Sequence, residues 1–406
     1  MKELRKVLKG WNLNIEAIFR RKKKEALEEL DRLDKREEEG KICDKDKEVK
    51  RECQEALKEI LKEEEIKWLQ RSHDTELLEG DANTKYYHAE ANGRFRKNRI
   101  IKLVQDDGVI EGQDNLKKYI TLFYKELFNE PEIKTLNMDS SGVETLTANE
   151  QEFLVKKFTM DELKKNVFEM EKNKAAGPDG FNIEFYQHFW GLVKDDLFAL
   201  VEEFYEHNLD LDRLNYGVIS LLPKGSDADR IQKYRPICLL NVIFKIITKI
   251  LVNRLIVMVS RVTRDSQTTF IKGRYILEGV LVLHETLNSM HKTNKTGVLF
   301  KIDFEKAFDK VKWPFLFQTL KMKIFPDKWI NWVMKTVVGG KAAVKVNGEI
   351  GPYFKTHQGL RQDDSMSPLL FDLAVDNLAI MMDRAFEGGL VCGLAKNHKE
   401  TDICIL

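Results

Sequence analysis

The sequence predicts a charged helical arm joined to a core of mixed helices and strands, of α/β or α+β class, and three observations predict it. Residues 1–70 are dominated by Lys, Arg, Glu and Leu, contain no proline, and space Leu27, Leu30 and Leu33 at helical intervals. Beyond about residue 150, helical stretches alternate with short β-branched runs. Between these two textures, residues 134–150 are polar and turn-rich, the composition of a linker.

The arm, residues 1–67, reads as a long helical hairpin. Its heptads are not sustained over three or four repeats, which favours a charged arm over a self-associating coiled coil. Residues 68–133 form a connecting region in which Gly80-Asp81 marks a turn and Tyr86-Tyr87 precedes the basic run Arg94-Phe95-Arg96-Lys97-Asn98-Arg99. Aromatic rings beside cations suit single-stranded nucleic acid, which they stack on and neutralise. Arg94, Arg96, Lys97 and Arg99 are therefore candidate nucleic-acid ligands, and a small helical unit with core aromatics accounts for the same texture. A second run, Arg20 to Lys24, reads more simply as a solvated helix face. Residues 151–406 carry the core.

With 406 residues the chain exceeds one typical domain. Lys plus Arg number 67 against 66 for Asp plus Glu, so no overall basic excess advertises a polyanion partner and any such site must come from local clustering. The five cysteines, Cys43, Cys53, Cys238, Cys392 and Cys404, show neither CxxC pairs nor Cys/His ligand spacing. Neither zinc nor a disulfide framework is indicated, and reduced thiols fit an intracellular compartment, nucleus or cytoplasm. No signal peptide and no apolar run long enough to span a membrane are seen, so no membrane partner is expected.

Four segments carry candidate chemistry. In Gly297-Val-Leu-Phe-Lys-Ile-Asp303-Phe-Glu-Lys-Ala-Phe308-Asp309, the alternation of Val298, Phe300, Ile302 and Phe304 with Leu299, Lys301 and Asp303 has the period of a strand. Asp303 is thereby expected at a strand end, where a carboxylate is placed to hold Mg²⁺, although a turn or cap residue is the ordinary alternative. Gly359-Leu-Arg361-Gln362-Asp363-Asp364-Ser-Met-Ser367-Pro368 reads as a loop opening a helix, with Ser367 as N-cap and Pro368 at the first helical position. Arg361 and Gln362 there are placed to face a phosphate-bearing ligand, with an ordinary capped core helix as the alternative. In Pro223-Lys224 and Arg235-Pro236, single cations are fixed beside prolines, as a triphosphate requires.

Taken in order, Asn173-Lys-Ala-Ala-Gly177-Pro178-Asp179-Gly180, Pro223-Lys224, Tyr234-Arg235-Pro236-Ile237, Gln267-Thr-Thr-Phe270-Ile-Lys-Gly273-Arg274, Asp303 to Asp309 and Gly359-Leu-Arg-Gln362 closely resemble the motifs of plant LINE-type (non-LTR) retrotransposon reverse transcriptases. Upstream, Gly80-Asp81-Ala-Asn83-Thr84-Lys85-Tyr-Tyr-His88 resembles the region preceding the polymerase in those elements. The resemblance implies an α+β right-hand polymerase, fingers and partial palm, behind the helical arm. It implies RNA-directed DNA polymerisation on an RNA template and a DNA primer, from deoxynucleoside triphosphates, with Mg²⁺ or alternatively Mn²⁺.

Residue by residue, the resemblance makes Asp303 the catalytic metal-binding carboxylate and the Phe304 carbonyl a further metal ligand. It makes Phe308 the steric gate against a 2′-hydroxyl, Lys224 and Arg235 the triphosphate contacts, and Gln362 a support beneath the nucleotide or primer–template. Asp309 is expected to be structural. Two departures stand out. Asp363 and Ser365 occupy places where the pattern has Gly and Pro. An aromatic-Ala-Asp-Asp turn is implied beyond Glu400 to Leu406, where the sequence stops. Two-metal transfer needs both carboxylate motifs to hold ions ~3.5–4 Å apart. The expectation for this chain alone is accordingly a fragment without polymerase activity, with a nucleic-acid-binding remnant of a decayed element as the other reading.

Overall fold

The computed structural model describes residues 2–72, 84–106, 108–130, 142–294, 296–298 and 301–391, the side chains of some helical residues in the N-terminal 100 excepted. Contacts divide the chain into two compact units, residues 1–100 and 101–406. In the first, α1 (Lys2–Glu38) and α2 (Asp44–Ser72) form the expected hairpin. The chain reverses at Gly40, whose φ of 68° is a left-handed position that glycine takes without a Cβ clash. Ala26, Leu33 and Ile60 are buried in this unit, and Lys50 bridges to Asp34 at 2.6 Å and to Glu37. Exposed ion pairs of that kind are worth about 0–1 kcal/mol each, so the apolar contacts hold the hairpin. A third helix, α3 (Thr84–Lys97), ends on the basic run, while the Gly80-Asp81 turn lies outside the described residues.

The second unit begins with a hairpin of β1 (Lys102–Gln105) and β2 (Gly108–Glu111), followed by α4 (Gln113–Leu127). Its stripe Leu116, Ile120 and Tyr124 is fully buried and packs toward β5 (Lys341–Val346). The unit boundary therefore falls at residue 100, within the expected connecting region. Of the expected linker, residues 131–141 are outside the described residues, and Leu146 is already buried, its N–H donating to the Lys323 carbonyl.

Short helices α5 (Ala148–Val155) and α6 (Met160–Glu169) start on threonine caps, Thr147 and Thr159, the first with a full capping box to Glu150. They are followed by α7 (Ile183–His188), α8 (Trp190–Tyr205), α9 (Val242–Leu255), α10 (Val259–Val262) and α11 (Ile276–Thr293). The last three are α12 (Trp313–Met322), α13 (Asp327–Val337) and α14 (Ser367–Glu387). One apolar core runs through all of them but α11, from Leu163 and Ile250 to Trp329, Trp332 and Leu369. Within it Arg254 is 4% exposed, holding Glu162 with two nitrogens at 2.7 and 2.8 Å and donating to the carbonyls of Leu154 and Lys156.

The main sheet has the order β4-β3-β5-β6, with β7 (Phe354–Lys355) also on β5 and β6 spanning Glu349–Ile350. β3 (Tyr216–Pro223) pairs antiparallel with β4 (Tyr234–Leu240) and parallel with β5. β4 is an edge strand, which is why Pro236, lacking an N–H, is tolerated within it.

Two expectations need correction. Residues 301–304 form no strand, and Lys301 to Phe304 are all exposed. Alternation makes a strand only where another backbone accepts its ladder, and among the described residues none pairs with this segment. The final helix begins at Ser367 itself, with Met366 in the capping position and Pro368 within the first turn. Among the described residues no helix is long and apolar enough to cross a membrane.

Candidate active site

Asp303 and Phe304 lie in exposed backbone, and no hydrogen bond or ion pair engages the Asp303 carboxylate among the described residues. From there the chain turns inward. Phe308 is half-buried, its ring stacked on Phe371 of α14 with centroids 4.8 Å apart. Its carbonyl accepts the Leu360 N–H at 2.7 Å, and the Val311 carbonyl accepts the Gly359 N–H at 2.8 Å. Only glycine fits at 359: φ is +91°, and a Cβ would stand 2.6 Å from the Asp309 carbonyl oxygen. These two bonds clasp the Asp303–Asp309 turn against the 359–366 loop.

The clasp continues through side chains. Gln362 donates from Nε2 to Asp309 Oδ2 at 3.4 Å, and its own carbonyl accepts the Cys238 N–H of β4 at 3.0 Å. Asp309 is 2% exposed, and burial pushes its carboxyl up to about 6, against the opposing pull of Lys306 and Gln362. Lys306, half-buried with φ 53°, rests its ammonium 4.1 Å from the centre of the Phe123 ring, and burial draws its pKa down. The Asp309 expectation of a structural role agrees with this placement. Helix α4 thus touches the site through Phe123, while the Phe128 carbonyl accepts the His357 N–H.

Lys224 and Arg235 are exposed near the open end of the β3–β4 ladder. Arg235 stands opposite Leu222, and Lys224 directly follows β3, its N–H donating to the Lys233 carbonyl at 2.8 Å, so both cations lie at the same end of the hairpin. Arg361 differs from its expected role facing a phosphate. Its guanidinium packs inward 5.3 Å from the centre of the Phe244 ring and against Gly340, where a Cβ would fall 1.7 Å from Nη2, and burial lowers its pKa. It borders a cavity of about 30 Å³ shared with Phe128, Cys238 and Gln358.

Two of the recognised motifs are architectural. Gly177 lies so close to the end of β4 that a Cβ would meet the Leu240 carbonyl at 2.4 Å, and the Asp179 N–H donates to Asn241 Oδ1. Arg274 gathers the carbonyls of Ser260, Thr263, Arg264 and Gln267 around its guanidinium. In the first unit, Arg94, Arg96, Lys97 and Arg99 are exposed at the end of α3, Arg94 paired with Glu90 at 2.9 Å.

Lys306, Phe371 and the α4 aromatics escaped sequence reasoning. Phe371 reads as one more residue of an apolar stripe, and nothing local links Phe123 to residue 306. As a metal site the donor set is partial: Asp303 and the Phe304 carbonyl suit Mg²⁺, which keeps its other positions for water and phosphate. Among the described residues no group of three His, Cys, Asp or Glu side chains gathers around a point.

Residues 222–398 match the family described as Reverse transcriptase (RNA-dependent DNA polymerase). The chain is 27% identical over 322 residues to the Transposon TX1 uncharacterized 149 kDa protein of Xenopus laevis, covering 78% of this chain and 24% of that protein. It is 27% identical over 157 residues to the Pol polyprotein of the R2DM retrotransposable element of Drosophila melanogaster, covering 39% and 15%. A chain of a solved Cas6-RT-Cas1–Cas2 complex covers 62% of this chain and 38% of its own length at 15% identity and a TM-score of 0.35, too low a likeness to support any argument. This chain thus spans a quarter or less of these two relatives. It carries a reverse transcriptase domain similar to those of non-LTR retrotransposons.

Proposed function

We propose that this reverse transcriptase domain is the fingers and first part of the palm of a plant LINE-type polymerase, copying an RNA template from a DNA primer with deoxynucleoside triphosphates. The clasp between the Asp303–Asp309 turn and the 359–366 loop carries this reading, because it brings a gate, an amide and a carboxylate-bearing turn into one assembly. Lys224 and Arg235 hold the triphosphate from the end of the β3–β4 hairpin. The Phe308 ring, fixed by Phe371, excludes a 2′-hydroxyl, and Gln362 supports the nucleotide from below. Asp303 and the Phe304 carbonyl hold Mg²⁺ or Mn²⁺, which supplies neutralisation of the charge on the transferring phosphoryl group. The site of action is nucleus or cytoplasm.

The test is incorporation on poly(rA)/oligo(dT) with Mg²⁺ or Mn²⁺. Asp303 belongs to no group of three metal-holding His, Cys, Asp or Glu side chains among the described residues, so this 406-residue chain alone is expected to stay at background. A protein that includes the aromatic-Ala-Asp-Asp turn implied by the plant LINE-type resemblance should extend the primer, and Asp303→Ala should silence it. Extension that survives Asp303→Ala would remove this residue from catalysis.

Nucleic-acid affinity is assigned to the exposed run Arg94, Arg96, Lys97 and Arg99 together with Lys224 and Arg235, since a net charge of +1 offers no general attraction. Binding of single-stranded RNA should weaken with salt at a slope of about −0.7 per neutralised phosphate. Changing the four α3-end cations to Ser should flatten that slope. An unchanged slope and affinity would move the site elsewhere.

A further inference from the structure

We propose that the cavity beside Arg361 binds a single monatomic anion, chloride, through the Arg361 guanidinium. Both terminal nitrogens, Nη1 and Nη2, are sealed from solvent and have no hydrogen-bond partner among the described residues. Their N–H groups and the positive charge they share thus lie unanswered inside the protein. The carboxylates that line the cavity or adjoin Arg361 in its loop are engaged elsewhere. Asp363 pairs with Lys245 Nζ at 2.6 Å, Asp309 accepts from Gln362, and Asp364 accepts the Met366 N–H at 3.3 Å. A buried charge without a counter-charge costs far more than an unpaired neutral donor. A lysine would escape that cost by losing its proton, which a guanidinium cannot do, so a bound anion is the remaining answer.

The cavity sets the size of that anion. Arg361 lines it with Cys238, Thr356, Gln358 and Gln362, and its volume is about 30 Å³. A water-sized particle needs ~10–15 Å³, so a halide fits and a tetrahedral phosphate with its four oxygens does not. The amide and hydroxyl donors on the wall are already spent. Thr356 Oγ1 donates to the Gly340 carbonyl at 3.1 Å, Gln358 Nε2 to the Leu127 carbonyl at 2.8 Å, and Gln362 Nε2 to Asp309. Burial pushes the Cys238 thiol up to about 11, so it stays protonated and adds a weak donor instead of a competing charge. Asp309, also on the wall, opposes an anion, and Lys306 offsets its charge. The guanidinium itself is fixed between the Phe244 ring and Gly340, ready for a ligand without rearrangement. None of this rests on the polymerase reading.

The experiment unfolds the full chain in urea at constant ionic strength, with sodium chloride exchanged stepwise for sodium gluconate, whose anion is too large for the cavity. From about 10 to about 100 mM chloride the folded-to-unfolded ratio should rise by up to about tenfold, the limit for one bound ion. Bromide should act as chloride does. In Arg361→Met the dependence on chloride should vanish, whatever the stability of the variant itself. Crystals of the parent grown in sodium bromide give a second reading that needs no variant, an anomalous peak at hydrogen-bond distance from Arg361 Nη1 or Nη2. Equal stability in chloride and gluconate, or bromide peaks at the surface only, would overturn the site and leave water as the occupant. A chloride dependence that survives Arg361→Met would overturn it by placing the ion elsewhere.

Discussion

Replacing Asp372 by Asn is expected to raise stability at pH 8 by as much as about 4 kcal/mol, three pKa units at ~1.36 kcal/mol each. Asp372 is 1% exposed on α14, and its Oδ1 accepts Gln267 Nε2 at 2.9 Å. Among the described residues, the remaining oxygen, Oδ2, has no hydrogen-bond partner, and neither has Gln267 Oε1. Both orphans belong to one pair. A proton on Oδ2 supplies the missing donor and closes a reciprocal acid–amide couple. Burial pushes this carboxyl up to about 7, with Gln267 and Arg274 opposing and Asp376 adding to the rise. The folded state therefore holds a proton that the unfolded chain releases near pH 4, and stability falls as pH rises from about 4 to 7, then levels off. Asn offers N–H₂ and C=O in the same places at every pH. Urea midpoints from pH 5 to 8.5 should slope for the parent and flatten for Asp372→Asn. The same slope in both would place the titration on another group.

Lys323→Met should cost about 3–5 kcal/mol, the usual penalty for removing one partner of a buried ion pair. Lys323 and Asp376 have side chains 1% and 2% exposed, and the ammonium also donates to the Val262 carbonyl at 2.5 Å. Met fills the volume and, among the described residues, leaves the carboxylate with only the Arg264 N–H, at 2.9 Å. The denaturation midpoint should fall with an unchanged slope. Lys323→Met combined with Asp376→Leu should recover much of the loss, because no lone charge is then buried. A single variant as stable as the parent would show that water reaches this pair.

Much of the fold is legible where periodicity is local. The arm declares itself through Leu27, Leu30 and Leu33, and α14 through its stripe and Pro368. Residues 298–304 have the period of a strand, yet among the described residues 301–304 pair with no other backbone, and no local pattern can supply a partner. The unit boundary is displaced because polar composition marks exposed chain, whereas α4 is tied to the core by Tyr124 and Ile120. In the site, motif order points to the turns that carry Phe308 and Gln362, and the structure joins those turns through the Leu360–Phe308 and Gln362–Asp309 hydrogen bonds. Motif order misplaces Arg361, since a cation beside a glycine-led loop reads as a ligand and its burial depends on the distant Gly340 and Phe244. Lys306 and Phe371 were silent for the same reason.

The hydrogen bond from Cys238 to the Gln362 carbonyl bears on solubility as well as on the site. An unpaired sheet margin is a template on which other chains polymerise into aggregates, and β4 is such a margin. Pro236 removes one donor from it, and Gln362 takes up another. The 359–366 loop thus guards the sheet against self-association, so mutations that loosen it should appear first as insoluble protein.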